Sequence, residues 1–223
     1  MGRVGYDKRF TTLIFILIFT LSSCSKTVQK ATEVYFNDFE TGNFDDITNG
    51  YLFEYNGSTV LGRYNQSGFE LLLTNLPTHD LIEISFDLFI HDSWDGNKLG
   101  IDGVDGPDIW KMLIDEELYI NASFLNIACV NANGVFCPPQ SYPANYPNSN
   151  NYPRKNAYRI NLPGACHPEG TTTWYKIKKT ISHSKSTLLL QCVDQLVQKN
   201  TDDPNFDESW SIDNIKVNAI KLD

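Results

Sequence analysis

The clearest signal in the chain is a strict alternation of apolar and polar positions over residues 81–90 (LIEISFDLFI). Ile82, Ile84, Phe86, Leu88 and Ile90 share one phase; Glu83, Ser85, Asp87 and Phe89 share the other. Successive side chains of a strand point to opposite faces, so a period of two predicts a strand with one face against a core. Shorter runs rich in β-branched and aromatic residues predict further strands at 33–39, 51–55, 68–74, 110–114, 117–120, 173–181, 186–193 and 211–217. Turn clusters such as Asn75-Leu76-Pro77 and Asp202-Asp203-Pro204 punctuate them. No stretch shows a convincing helical period, so little helix is expected. Many short strands separated by turns predict an all-β, antiparallel two-sheet sandwich of the jelly-roll type. We find no internal repeat and no domain boundary.

Two stretches break this pattern. Residues 138–170 contain Pro138, Pro139, Pro143, Pro147, Pro153, Pro163 and Pro168 among many Asn and Tyr residues. Proline cannot donate to a ladder, so this density predicts a long loop. The other stretch is N-terminal. Residues 11–21 (TTLIFILIFTL) follow Arg3, Lys8 and Arg9. The run is shorter than the ~20 residues needed to span a bilayer and suits the apolar region of a secretory signal. Leu21-Ser22-Ser23-Cys24 resembles the bacterial lipobox. That resemblance implies cleavage before Cys24 and a diacylglycerol thioether on its thiol. The expected organisation is a signal peptide at 1–23, a polar tether at 24–33 and a jelly-roll domain at 34–223. The expected location is the bacterial cell envelope, lipid-anchored and extracytoplasmic.

Charge and cysteines narrow the picture. The chain has 27 acidic and 18 basic residues, a net charge of −9. The leader holds three bases and one acid, so the mature part is more negative still. Phosphates would be repelled, which argues against nucleic acid. With Cys24 assigned to lipid, Cys129, Cys137, Cys166 and Cys192 remain, an even set in an oxidising setting. Three pairings are open. We favour Cys129–Cys137, across the Asn133-Gly134 turn, which leaves Cys166–Cys192. Zinc is disfavoured, because no CxxC pair occurs and His167 stands alone beside Cys166.

The ends of the domain carry a further resemblance. Phe36-Asn37-Asp38-Phe39-Glu40 near the start and Glu208-Ser209-Trp210-Ser211-Ile212-Asp213-Asn214-Ile215-Lys216-Val217 near the finish resemble the first and last strands of jelly-roll carbohydrate-binding modules and MAM-like domains. The resemblance implies a structural calcium ion held by Glu40 and Asp213, with Asp38 as a further ligand. The run DLFIHDSWDGN…GPDIWK, with DESWSIDNIKV, is similar to uncharacterised bacterial extracellular domains of the concanavalin-A-like jelly-roll superfamily, which implies no particular activity.

Asp92, Asp95, Asp102, Asp105 and Asp108 crowd into one segment. Like charges this close repel unless a cation or hydrogen-bond donors offset them. Their spacing is not that of an EF-hand. Three readings stand: solvated acidic turns, a second cation site, or a sugar-binding edge. In the last, Asp92, Asp95, Asn97 and Asp108 would take hydroxyls while Trp94 or Trp110 stacks on a ring, with Tyr142, Tyr146 and Tyr152 as lesser platforms. The competing expectation buries both tryptophans in the core.

Catalytic patterns are missing from the sequence. There is no GxSxG, no HExxH and no ExDxxE-type run, and His79, His91, His167 and His183 are scattered. The expected function is therefore a non-catalytic binding module for carbohydrate or a surface partner. The alternatives are a glycan-active hydrolase with an unrecognised site and a structural envelope lipoprotein.

Overall fold

The computed structural model describes residues 1–2, 27–99, 106–126, 137–166, 170–197 and 207–223. The leader from residue 3 onward and Cys24 lie outside the described residues, as do Cys129, Asp102, Asp105 and His167. The elements are strands β1 (Val28–Asn37), β2 (Ile47–Thr48), β3 (Leu52–Tyr55), β4 (Ser58–Tyr64), β5 (Gly68–Leu73), β6 (Leu81–Asp92), β7 (Ile109–Ile114), β8 (Glu117–Ser123), β9 (Arg159–Pro163), β10 (Thr171–Ser182), β11 (Leu188–Gln195) and β12 (Glu208–Leu222). They form two antiparallel sheets, as the alternating patterns predict. The seven-stranded sheet runs β3-β4-β12-β6-β10-β9, with β1 added alongside β12; the five-stranded sheet runs β2-β5-β11-β7-β8.

The core lies between the sheets and is built by phase. From the larger sheet come Ile82, Ile84, Phe86, Leu88 and Ile90 of β6, Tyr175 and Ile177 of β10, and Ile212, Ile215 and Val217 of β12. From the smaller come Phe69 and Leu71 of β5, Trp110 and Met112 of β7, and Leu188, Leu190 and Cys192 of β11. Each such side chain contributes roughly 1.5–3 kcal/mol on burial.

Four expectations need correction. Residues 28–33, expected as tether, are strand: β1 pairs with β12 from Val28↔Leu222 onward. Strand β4 lies where no strand was expected. Strand β9 lies inside the proline-rich stretch, as an edge strand ending at Pro163 and paired only to β10; an edge is where proline is tolerated. The fourth concerns Cys166 and Cys192, which are free thiols and not a pair. Cys192 faces the core between Phe69 of β5 and Met112 of β7, and burial raises its thiol pKa. Cys137 is disulfide-bonded.

A redox prediction follows. Iodoacetamide should leave Cys192 unlabelled in the folded protein and label it after denaturation without reductant, as read by peptide mass mapping. Protection that persists in denaturant until reductant is added would mean that Cys192 is bridged.

Candidate functional site

The outward face of the larger sheet carries a second apolar cluster, separate from the core. Tyr55 of β3, Val60 of β4 and Phe89 of β6 form it, with Phe53, Leu162, Ala165 and Trp174 packed against them. Register explains the convergence. Trp174 lies opposite Phe89, and Phe89 lies opposite Ser211. All three occupy the outward phase of their strands, between the core residues Ile90 and Leu88 and between Tyr175 and Thr173.

Tyr55, Val60, Phe89, Leu162 and Trp174 line a groove of about 190 Å³, rimmed by Asn56, Ser58, Asp87, Arg159, Asp213 and Asn214. Its aromatic contacts are specific. Tyr55 tilts against Phe89 at 5.5 Å, and Phe89 lies 5.5 Å from Trp174. Tyr158 meets Trp174 edge-on at 4.6 Å, with Lys176 Nζ 4.1 Å above the Tyr158 ring. Trp174 is half-exposed, and its buried indole Nε1 has no hydrogen-bond partner. Tyr55 donates its hydroxyl to Pro163 O (2.7 Å), and burial pushes its pKa up to about 12.

The carboxylate end of the groove depends on a bulge. On β12, Asp213 pairs with Asp87, but the next pair is Lys216 with Ser85. The extra residue lets Ile212 and Ile215 both face the core with Asp213 and Asn214 between them. Asn214, at a φ of 54°, donates its side-chain amide to Asp87 Oδ2 (3.1 Å). Burial first, then the neighbouring Asp87 and Glu40 charges, push Asp213 up to about 6, against hydrogen bonds from the Asn214 N–H and Ser58.

The same end gathers two of the three residues expected for calcium. The Ser58 hydroxyl donates to Glu40 Oε1 (2.6 Å) and reaches Asp213 Oδ2 (3.3 Å). Glu40 also accepts from the Thr59 N–H (3.1 Å), and these bonds hold its pKa down. Carboxylates have about four acceptor positions each, so Glu40 and Asp213 keep capacity for an ion beside Ser58. Asp38 is not brought to them; its Oδ1 accepts from the Glu40 N–H within its own turn (3.3 Å).

The acidic segment is placed otherwise than the sugar-edge reading requires. Trp94 and Trp110 are both 0% exposed, so neither offers a ring to a ligand. Trp94 donates its indole N–H to Ser209 O (2.9 Å), while Trp110 packs edge-on against Trp210 at 5.8 Å. Asp92 and Asp108 are buried too. Asn97 is committed to the proline-rich loop through Ser149 O and Asn150 Oδ1, both at 2.9 Å. Tyr142 stacks on Phe124 at 4.8 Å and is not a surface platform, whereas Tyr152 is exposed. The structure also joins two histidines that the sequence left apart: His79 Nε2 lies 2.7 Å from His183 Nδ1. Sequence reasoning missed Tyr55 and Trp174. The available signal was Trp174 on the lysine-bearing phase of β10, an aromatic on the wet side of an amphipathic strand.

Fold and groove together define a jelly-roll β-sandwich with an aromatic, carboxylate-rimmed groove on one sheet. No protein-family model matches the chain, and no curated protein matches it. Among solved structures it is similar to the CBM22-2 xylan-binding domain of Paenibacillus barcinonensis Xyn10C. That likeness has 13% identity and a TM-score of 0.38, covering 83% of this chain and 99% of that one. It is also similar to a family 35 carbohydrate-binding module of Clostridium thermocellum, at 11% identity and TM-score 0.34, covering 77% and 88%. A carbohydrate-binding module of Cellvibrio mixtus lichenase 5A, in complex with cellotriose, gives 11% identity and TM-score 0.30, covering 86% and 98%. Likeness this distant carries no argument about a ligand.

The groove's underside supplies a pH prediction. His91 is fully buried, its ring nitrogens 2.9 Å from Thr172 Oγ1 and 2.7 Å from Ser211 Oγ. Burial, with a smaller push from Arg63, lowers its pKa from 6.5 to about 3. The unfolded chain therefore binds a proton below 6.5 that the folded chain refuses. This contribution to stability is complete above pH 6.5 and is lost as pH falls toward 3, at up to roughly 1.4 kcal/mol per pH unit. Buried carboxylates with raised pKa, such as Asp213, slope the other way in the same window, so the readout is a difference: the stability of wild type relative to His91→Gln, from denaturant titrations, should fall by this slope between pH 7 and 4.

Proposed function

We propose that this protein is a non-catalytic glycan-binding module held at a bacterial envelope membrane by lipid on Cys24. The observation that carries the binding reading is the groove itself, with Tyr55, Phe89 and Trp174 beside Asp87, Asp213 and Asn214. A pyranose has an apolar face and a rim of hydroxyls. Aromatic rings take the first by stacking, and carboxylates and amides take the second by hydrogen bonding. The rim sets the carboxylates of Asp87 and Asp213 against one guanidinium, Arg159, so neutral sugars suit it better than carboxylated ones, which only Arg159 would attract. Calcium belongs to this proposal at Glu40 and Asp213, as a structural ion that would fix the bulge behind the rim. The lipid reading rests on the basic residues, apolar run and Leu21-Ser22-Ser23-Cys24 sequence of the N-terminus.

One observation favours a second reading, a glycan hydrolase. Asp213 has a raised pKa beside Asp87, and carboxylates whose environments differ are what glycoside hydrolysis uses. A single set of assays separates the two. A panel of neutral oligosaccharides should bind the wild-type protein by calorimetry without release of new reducing ends. Trp174→Ala should weaken binding roughly tenfold, the equivalent of about 1.4 kcal/mol, and Asp87→Ala should weaken it as well. Reducing ends released by wild type and lost in Asp213→Asn would replace binding with hydrolysis. Unchanged affinity in Trp174→Ala would remove the groove from the reading.

The anchor has its own test. Cells fed a clickable fatty acid should label the wild-type chain and not Cys24→Ala. Equal labelling of the two would rule out the lipid on Cys24.

A further inference from the structure

Glu208, the first residue of β12, meets Asp95 of the loop after β6 and Asp108, the residue just before β7. Ligand-capable oxygens of the three all lie within 4.8 Å of one another. Asp108 is 0% exposed and Glu208 1%. The meeting is built by the surrounding bonds. Trp94 ties the loop to β12 through Ser209 O (2.9 Å). The Asp95 N–H donates to Asp108 Oδ2, and the Asp108 N–H donates to Gly96 O (3.1 Å). Asn65 fixes the backbone of Glu208 by donating to its carbonyl (2.8 Å).

A second observation is independent of this crowding. Glu208 Oε2 is buried and has no hydrogen-bond partner. Burial pushes its pKa up; among the described residues, the charges that push it further are those of Asp108, Asp95 and Asp207, and the Glu208 and Asp108 carboxyls are close enough to share a proton. A buried carboxylate in such company must either hold a proton or share a cation.

We propose that Asp95, Asp108 and Glu208 are the carboxylate ligands of a buried calcium ion, a site distinct from Glu40 and Asp213. The donors are all oxygen, which selects a hard cation over zinc or copper. Calcium–oxygen distances of about 2.3–2.6 Å put two oxygens of one shell at most roughly 5 Å apart, and the cluster meets that limit. Calcium also accepts an irregular shell, completed by carbonyls or water, where magnesium demands a near-ideal octahedron. Bound there, the ion joins the loop after β6, the entry to β7 and the start of β12.

The experiment uses the full chain, stripped of metal and titrated with calcium chloride alone by calorimetry. Glu40→Gln serves as the background, so that the other proposed site is silent. One calcium per chain should still bind, and binding should raise the melting temperature. Adding Glu208→Gln should lower the affinity at least tenfold, and adding Asp108→Asn should do the same. If either double variant fails to fold by circular dichroism, half-buried Asp95→Asn replaces it. Absence of calcium binding in the Glu40→Gln background, or unchanged affinity once Glu208 is neutralised, would overturn the proposal and leave a proton-sharing cluster. Stoichiometry identical in wild type and Glu40→Gln would instead count against calcium at Glu40 and leave the Glu208 site standing.

Discussion

The pairing of β12 with β6 is the constraint on which the other features depend. The two strands run side by side from Glu208↔Asp92 to Ile220↔Leu81. On its other edge β12 holds β4 near Trp210 and β1 from Ile215 onward. Because side chains alternate, one register fixes both faces of the sheet. It sends Leu88 and Ile212 into the core and Asp87, Phe89 and Asp213 into the groove. A slip of one residue would exchange these sets, burying the acids and exposing the aliphatic core. The bulge at Asp213 and Asn214 is the single departure within this ladder. It places two polar residues outward in succession without breaking the inward phase that resumes at Ile215.

How much of this the sequence reveals depends on how many surfaces a strand must satisfy. The run at 81–90 is legible because its inward phase is purely apolar. The hairpin between β7 and β8 is legible through the strands expected at 110–114 and 117–120, which leave Asp115 and Glu116 to turn; both take positive φ, 50° and 69°. Strand β4 is hidden because it serves two clusters. Val60 enters the outward cluster and the adjacent Leu61 the core, so the run reads as apolar without a period. Strand β9 is hidden by Pro163 at its end and by the prolines of the stretch around it, which an edge tolerates and a central strand does not.

The tryptophans show the same logic from the side of function. Trp110 shares its phase with Met112 and Ile114 of β7, and that phase faces the core. Trp94 sits in an acidic loop, where composition suggests solvent. Its indole N–H instead finds a backbone carbonyl on β12, which is how a buried Trp satisfies its polar end. Trp174 is the contrary case, on a phase otherwise filled by Lys176 and Lys178. The useful signal is thus the phase that an aromatic occupies and not the character of the residues next to it in sequence. The convergence of Glu208 on Asp95 and Asp108 has no comparable signal, since it joins positions about a hundred residues apart.

Both acidic sites sit on β12, and their spacing decides whether they interact. Glu208 and Asp213 are five residues apart, an odd number, so they take opposite phases. Glu208 shares the inward phase of Trp210 and Ile212; Asp213 faces the groove. At about 3.4 Å per residue their backbones are separated by roughly 17 Å, about twice the ~8 Å Debye length at physiological salt. Both carboxylates are buried, so salt screens their mutual field less than it would between surface charges, but at this separation the interaction is weak beside that of the acids in direct contact with each. What the sites share is mechanical: each fixes one end of the same stretch of the β6–β12 ladder. A ligand that bridges Asp213 and Asp87 across that ladder depends on the register holding, and the register is held at its other end where Glu208 meets Asp92. An ion at the site proposed for Glu208 would therefore bear on the groove through the position of β12.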